Sequence, residues 1–314
     1  MSKSTVSYYL NGTKNLKPDT QEKIREAINS LDYLPRVAAR SLKTKQTQTI
    51  GIVVPDITNS FFTDIICGIE DAAFQSGFSV VLCNTREDKA RERQYLNMLI
   101  SKDIDGLIVI SAGRSRSVIG NLNSFPVVAV DRKVSENVST VCSDNVLGGY
   151  MATKHLLESH GYPVQVITGG LEINTYNERL AGYIKAHEEL RLPFNKNLVH
   201  ETDISYERGY SQVMELIHAG CDMKSIFAAS DVLALGALKA LSQSGYKVGE
   251  GVFLVGYDDS EINTVLSPAL SSVCQPKYEM GIESAKLLIR QIVEKRKIVD
   301  FIVMRPNLVV RGTS

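Results

Sequence analysis

The 314-residue sequence contains no apolar run approaching the roughly 18 residues of a membrane-spanning helix, and its first residues are polar. Neither a transmembrane helix nor a secretory leader is expected, and a membrane is not among the partners. The five cysteines, Cys67, Cys83, Cys142, Cys221 and Cys274, are odd in number and scattered, with no Cys-x-x-Cys pair. That pattern argues for reduced thiols in the cytosol and against a zinc site or a disulfide framework. Also missing are a Gly-x-Gly-x-x-Gly turn after the first strand, a Gly-x-x-x-x-Gly-Lys-Ser/Thr loop and a Gly-x-Ser-x-Gly elbow. His155, His160, His187, His200 and His218 share no motif. No catalytic residue, cofactor or metal is expected, and an enzyme is disfavoured.

Net charge is absent as well, but its zero hides an asymmetry. Residues 1–48 carry nine Lys/Arg against four Asp/Glu, a net of +5, so the remainder carries −5. A basic head on an acidic body suggests that only the head meets phosphate. From residue 49 onward, β-branched runs at 50–54, 80–82, 106–110, 127–130, 164–167, 225–227 and 252–255 read as buried strands. Stretches such as 61–76, 90–101, 146–160, 180–190, 206–218 and 232–244 repeat apolar residues at helical spacing. Strands alternating with helices indicate α/β architecture with parallel sheets. Gly77, Gly161, Gly220 and Gly245 stand where left-handed helix caps belong.

The head follows a different pattern. A helix opens at Pro18 and runs to Leu31, with Ile24, Ala27, Ile28 and Leu31 on one face, and Tyr33-Leu-Pro35 closes it. Between Lys3 and Asn11, Val6 and Leu10 face a small core, leaving Lys3, Ser4 and Tyr8 opposite as candidate readers of base edges. Thr5 and Ser7 suit phosphate oxygens. Val37, Ala38, Ala39 and Ser41 are small enough for two such helices to pack side by side in a minor groove. There Arg40 meets phosphate and Leu42 wedges into a base step. Two hinges imply a homodimer on a near-palindromic DNA site. Residues 43–48 are polar and unpatterned and read as a linker. A short surface helix and an ordinary alanine-rich helix are the plainer readings of these two segments.

With these residues in hand, the chain resembles the lactose-repressor/galactose-repressor (LacI/GalR) family of bacterial transcription regulators over essentially its whole length. In the head the matches are Ser4-Thr-Val-Ser7, Leu10-Asn-Gly12, Leu31-Asp-Tyr33, Pro35 and Ala39-Arg-Ser-Leu42. In the body they are Ile50-Gly-Ile, the run from Pro55 to Phe62, Asp105-Gly-Leu-Ile108, Val130-Asp-Arg132, and Arg179 with Gly182. Ser230-Asp231, Ala234-Leu-Gly236, Val255-Gly-Tyr-Asp258 and Gln275-Pro276 complete the set. The resemblance implies a helix-turn-helix head, a hinge helix and a two-lobed, periplasmic-binding-protein-like core joined by three crossings, with effector in the cleft. The expected organisation is a partial head at 1–35, hinge and linker at 36–48, and an effector-binding and dimerisation core at 49–314. Within the core, the N-lobe is expected at about 49–146 and 277–304, and the C-lobe at about 147–276 and 305–314.

The sequence departs from the family twice. Only Met1 and Ser2 precede the reading helix, where the family has a complete first head helix, so the given chain is expected to begin inside its head at a mis-assigned valine-type start. Arg36 stands where members often carry asparagine.

Ligands of open α/β folds gather at the carboxyl ends of strands. Here those ends are 55–62, Asp131-Arg132, Asn174-Thr-Tyr-Asn177 before Arg179, Ser230-Asp231 and Asp258-Asp259. The resemblance implies that Phe61 and Phe62 stack on an effector face, Arg179 donates a fork of hydrogen bonds and Asp258 accepts from hydroxyls. Asp131, Thr175, Phe227 and Ser230 are further contacts on the same ground. Asp144 and Asp231 equally suit helix caps, and Phe62 suits lobe core. Aromatic faces with bidentate charged groups fit a sugar or sugar acid, and purines are the alternative. The expected function is a transcription regulator, a repressor, controlled by this effector. A truncated regulator unable to dock and a solute-binding protein are its rivals. Salt-dependent, sequence-preferring DNA binding separates the regulator from both.

Overall fold

The computed structural model describes residues 2, 5–6, 8–9, 14–31, 46–111 and 125–314. These divide into two compact units, residues 1–48 and 49–314.

In the first unit residues 5–6 and 8–9 are helical, and Ser2 caps that segment. The Ser2 carbonyl accepts from the N–H groups of Thr5 and Val6, and its hydroxyl lies 2.8 Å from that of Thr5. Tyr8 is exposed, with the Lys14 ammonium 5.6 Å from its ring centroid. Helix α1 spans Pro18–Ser30, with proline in the first turn where a missing N–H costs nothing. Of its expected apolar face, Ile24 is buried and Ile28 partly buried, while Ala27 is exposed. Leu31 is a correction: it lies beyond the helix end as the C-cap and is 75% exposed. Lys3, Ser4, Ser7, Leu10, Arg40, Leu42 and the whole hinge lie outside the described residues.

The second unit is built on two six-stranded sheets. The first, in order β11-β5-β4-β3-β1-β2, contains β1 (Thr49–Val54), β2 (Ser79–Asn84), β3 (Gly106–Val109), β4 (Val127–Val130), β5 (Ser139–Ser143) and β11 (Phe301–Met304), all parallel. The second, β12-β10-β9-β8-β6-β7, contains β6 (Val164–Thr168), β7 (Val199–Glu201), β8 (Ser225–Ala228), β9 (Phe253–Asp258), β10 (Ser271–Cys274) and β12 (Asn307–Val309). Only β12 runs antiparallel there.

Strand alternation divides each sheet between two cores. Ile50, Ile52 and Val54 face helices α2 (Ser60–Gln75) and α8 (Lys277–Glu294), whereas Val53 faces α3 (Lys89–Ser101). In the second sheet Phe227, Val255 and Tyr257 face α4 (Asn145–His160) and α5 (Asn174–Glu189). Ile226 and Leu254 face α6 (Tyr206–His218) and α7 (Asp231–Gln243). No helix of the described residues is long and apolar enough to cross a membrane.

Each helix pair closes on reciprocal glycines. A Cβ at Gly68 would stand 2.1 Å from the Tyr278 carbonyl oxygen, and one at Gly281 2.1 Å from that of Ile65. The same holds for Gly149 against Arg179 and Gly182 against Val146, and for Gly209 against Leu233 and Gly236 against Tyr206. The expected glycine caps Gly77, Gly161, Gly220 and Gly245 lie at φ 76, 85, 66 and 80°.

The chain passes between the sheets three times: from β5 into α4, from β10 into α8, and from β11 into β12. The second passage is braced, for Lys277 Nζ lies 2.9 Å from the Asp64 carboxylate and donates to the Asp259 carbonyl at 3.1 Å. Near the end of the chain, the buried Thr313 hydroxyl accepts from Ser271 N–H at 2.8 Å and donates to the Leu254 carbonyl at 2.7 Å. Thr313→Val keeps the shape but strands both backbone groups, so a loss of about 2 kcal/mol is expected on urea unfolding. A change within about 0.5 kcal/mol would contradict that role.

Candidate effector site

Parallel strands present their carboxyl ends on one side of each sheet. Thr85 follows β2, Asp131 and Arg132 follow β4, Ser143 ends β5, Thr168 ends β6 and Gln275 follows β10. Each has a buried side-chain atom without a hydrogen-bond partner, together six of the eleven such atoms among the described residues. Buried polar atoms are nearly always paired, so their gathering makes these strand ends the candidate place to receive a polar ligand. Backbone strain gathers there too. Asp131 and Asp258, each the turn-off residue of its strand, take φ of 66 and 109°, and such conformations concentrate at ligand sites.

At the centre lies Arg179, buried to 4% exposure on the second turn of α5. Its guanidinium sits 3.7 Å from the Tyr257 ring centroid and 5.4 Å from that of Tyr176. Nε donates to Asn145 Oδ1 at 2.9 Å and one terminal nitrogen to the Ala229 carbonyl at 2.6 Å. Its other terminal nitrogen is 3.9 Å from Asp258 Oδ1, beyond hydrogen-bond range. The expected fork is thus partly engaged within the protein. Asp258 Oδ1 accepts instead from Gln275 Nε2 at 2.7 Å.

Burial pushes the Asp258 carboxyl from 3.8 up to about 7, against the pull of Arg179. The folded state therefore holds a proton that the unfolded chain has released. That contribution to stability is complete below about pH 4 and is lost as pH rises through about 7. Burial likewise raises Asp131, with Arg132 and then Arg179 pulling it back. Asp131 follows a strand of the first sheet, and Arg179 stands on a helix packed against the second.

The other expected residues divide. Thr175 is buried in the first turn of α5, so the segment 174–177, expected at a strand end, is the start of that helix. Ser230 is the N-cap of α7, its hydroxyl accepting from Val232 N–H. Phe227 is lobe core, 6.3 Å from Tyr257 between ring centroids. Phe61 and Phe62 each retain 4% exposure and meet edge to face at 5.1 Å within the first core. Asn145, Tyr257 and Gln275 are contacts of this cluster that sequence reasoning missed, whereas Arg132 and Tyr176 belong to the strand-end segments expected to gather ligand. Arg132, Tyr257 and Gln275 lay inside matched motifs, whereas Asn145 gave no signal.

Residues 47–307 match the family described as periplasmic binding proteins and sugar binding domain of LacI family, and residues 1–36 match the bacterial regulatory proteins of the lacI family. The ribose operon repressor of Haemophilus influenzae is 32% identical over 99% of this chain and 94% of its own. The HTH-type transcriptional repressor PurR of Histophilus somni is 32% identical over 99% of this chain and 95% of its own. Among solved structures, the Lac repressor dimer bound to operator and the anti-inducer ONPF superposes with a TM-score of 0.88 at 25% identity, covering 100% of this chain and 95% of that one. With two parallel-sheet lobes, a polar site at their strand ends and these matches end to end, the chain belongs to the LacI family of bacterial regulatory proteins.

Proposed function

We propose that the protein is a transcription repressor that binds a near-palindromic operator as a homodimer in the cytoplasm, and that its effector is a sugar or sugar acid. The Arg179–Asp258 pair carries the effector assignment. A donor and an acceptor stand 3.9 Å apart on a buried wall, a spacing that one hydroxyl bridges by accepting from the first and donating to the second. Sugars supply such hydroxyls in series. A purine calls for an open aromatic face, but Phe61, Phe62 and Phe227 are packed into lobe cores, and the Tyr257 ring is stacked on Arg179. Effector binding favours one arrangement of the two lobes, and coupling of about 1–3 kcal/mol changes operator affinity some 5–150-fold. Asp131, Thr175, Ser230 and Asp258 are assigned to the effector on this reading. Lys3, Ser4, Thr5, Ser7, Tyr8, Arg40 and Leu42 are assigned to DNA.

A thermal-shift screen over ribose, cellobiose, gluconate, hypoxanthine and guanine tests the effector class. A ligand at a hundredfold its Kd stabilises the native state by about 2.7 kcal/mol, so a sugar or gluconate is expected to raise the midpoint and to change operator binding in a salt-dependent anisotropy assay. A shift with the purines alone refutes the sugar reading.

A further inference from the structure

Asp231 is the first residue of α7 and is 1% exposed. A carboxylate at a helix N-terminus has a ready electrostatic explanation, but Ser230 already caps this helix, and the Asp231 side chain reaches elsewhere. Its Oδ2 accepts from Ser260 N–H and from the Asn263 side-chain amide, both at 2.7 Å. Its Oδ1 accepts from the Ser272 hydroxyl, also at 2.7 Å. One carboxylate thus gathers three donors from the loop after β9, the short helical turn Glu261–Thr264 and strand β10. Gly256 in β9 makes the room, because a Cβ there would stand 2.3 Å from Asp231 Oδ1. Burial raises this carboxyl, and the three hydrogen bonds oppose only part of that rise.

The gathered loop carries two further contacts. It begins with Asp258 and Asp259 at φ of 109 and 52°, a left-handed pair that needs external support. Asp258 faces Arg179. Two residues on, the Ser260 hydroxyl lies 3.1 Å from that of Ser60 on α2, in the other lobe. The geometry points to Asp231 as the positioning residue of the effector loop, an anchor that sets Asp258 against Arg179 and Ser260 against Ser60. This rests on the reading that Asp258 contacts the effector. Asp231 itself acts only through the loop.

Two variants of the full chain test the anchor from opposite sides. Asp231→Asn replaces an acceptor with a donor where three donors converge, and Gly256→Ala drives a methyl group against the carboxylate. In both, hydrogen–deuterium exchange at the Ser260 amide is expected to quicken about tenfold or more while β8 and α8 keep their protection. Calorimetry with ribose and cellobiose is expected to show a matching loss of affinity, about tenfold or more, for whichever sugar the wild type binds. Wild-type protection of Ser260 in both variants overturns the proposal. So does quickened exchange with unchanged affinity, since loop position would then be irrelevant to the effector. If Asp258→Ala, which removes the acceptor, binds the sugar as the wild type does, the effector role of Asp258 falls, and the functional half of the proposal with it. If the wild type binds neither sugar, ribose and cellobiose are excluded as effectors, and Ser260 exchange alone decides whether the anchor exists.

Discussion

Arg179→Met is expected to abolish the effector response and to cost about 3–5 kcal/mol of stability at alkaline pH, the range for removing one partner of a buried ion pair. Methionine fills much of the space but leaves the Ala229 carbonyl and Asn145 Oδ1 without the donors they hold at 2.6 and 2.9 Å. It also removes the cation that opposes the burial-driven rise of the Asp258 carboxyl. Asp258 then keeps its proton to still higher pH in the folded state, which extends the range over which stability falls as pH rises. The loss should therefore be smallest near pH 5, where Asp258 is neutral in both proteins, and should grow as pH climbs above about 7. Urea titrations at pH 5.5 and 8.5 measure this, and equal losses at the two values would remove Asp258 from the account. For binding, one charge-assisted hydrogen bond is worth about 1.5–3 kcal/mol, or at least about tenfold in Kd. Arg179→Lys keeps the charge, but an ammonium cannot serve Asn145, Ala229 and Asp258 together. It should recover part of the stability and little of the affinity, and full recovery of both would show that charge alone matters.

Gly182→Val is expected to destabilise the protein by about 3 kcal/mol or more. A Cβ at this position would stand 2.2 Å from the Val146 carbonyl oxygen and 2.5 Å from the Tyr150 nitrogen. Both are backbone atoms inside α4, so no side chain can step aside and the helices must part. Replacing glycine within a helix gains about 1 kcal/mol or less in propensity, too little to offset the clash. Helix α5 also carries Arg179, whose own carbonyl oxygen is the atom a Cβ at Gly149 would strike at 2.1 Å. Parting α4 from α5 shifts Arg179 and the candidate effector site together with the core. Thermal unfolding should show a midpoint lowered by roughly 6–12 °C, at about 2–4 °C per kcal/mol for a body of this size. A wild-type midpoint would mean that the helix pair has slack, and the close approach would lose its significance.

The strands legible in the sequence were those made of β-branched runs, such as Thr49–Val54 and Val127–Val130. Strands β5 and β10, with sequences Ser-Thr-Val-Cys-Ser and Ser-Ser-Val-Cys, contain no such run although nearly all their residues are buried. Their hydroxyls are accepted in the interior because distant chain meets them: Ser139 donates to the Ile298 carbonyl, Ser271 accepts from Arg311 N–H, and Ser272 donates to Asp231. Hydropathy along the chain carries no trace of such pairings. Strands β7, β11 and β12 and helix α8 also went unnamed; β11 and β12 are edge strands with partly exposed residues, which weakens the apolar signal. Apolar spacing marks helix α5 only from Leu180, six residues after its start, because Asn174-Thr-Tyr-Asn177 is polar and Ile173 before it provides no side-chain cap. At the site, residues at strand ends were legible because topology alone puts them there. Asn145 was not, since its role comes from accepting the Arg179 Nε bond across 34 positions of sequence.

The three passages between the sheets set a mechanical limit on what the effector can do. In the first sheet the departing strands β5 and β11 are hydrogen-bonded neighbours, and in the second so are β10 and β12. The spans therefore run side by side, like the leaves of a flexure. Such a joint bends easily in one plane and resists twisting, because twist would stretch one leaf against another. Three adjacent spans leave the lobes less freedom to swivel than a single strand would, and they favour relative movement of the lobes across the plane of the spans.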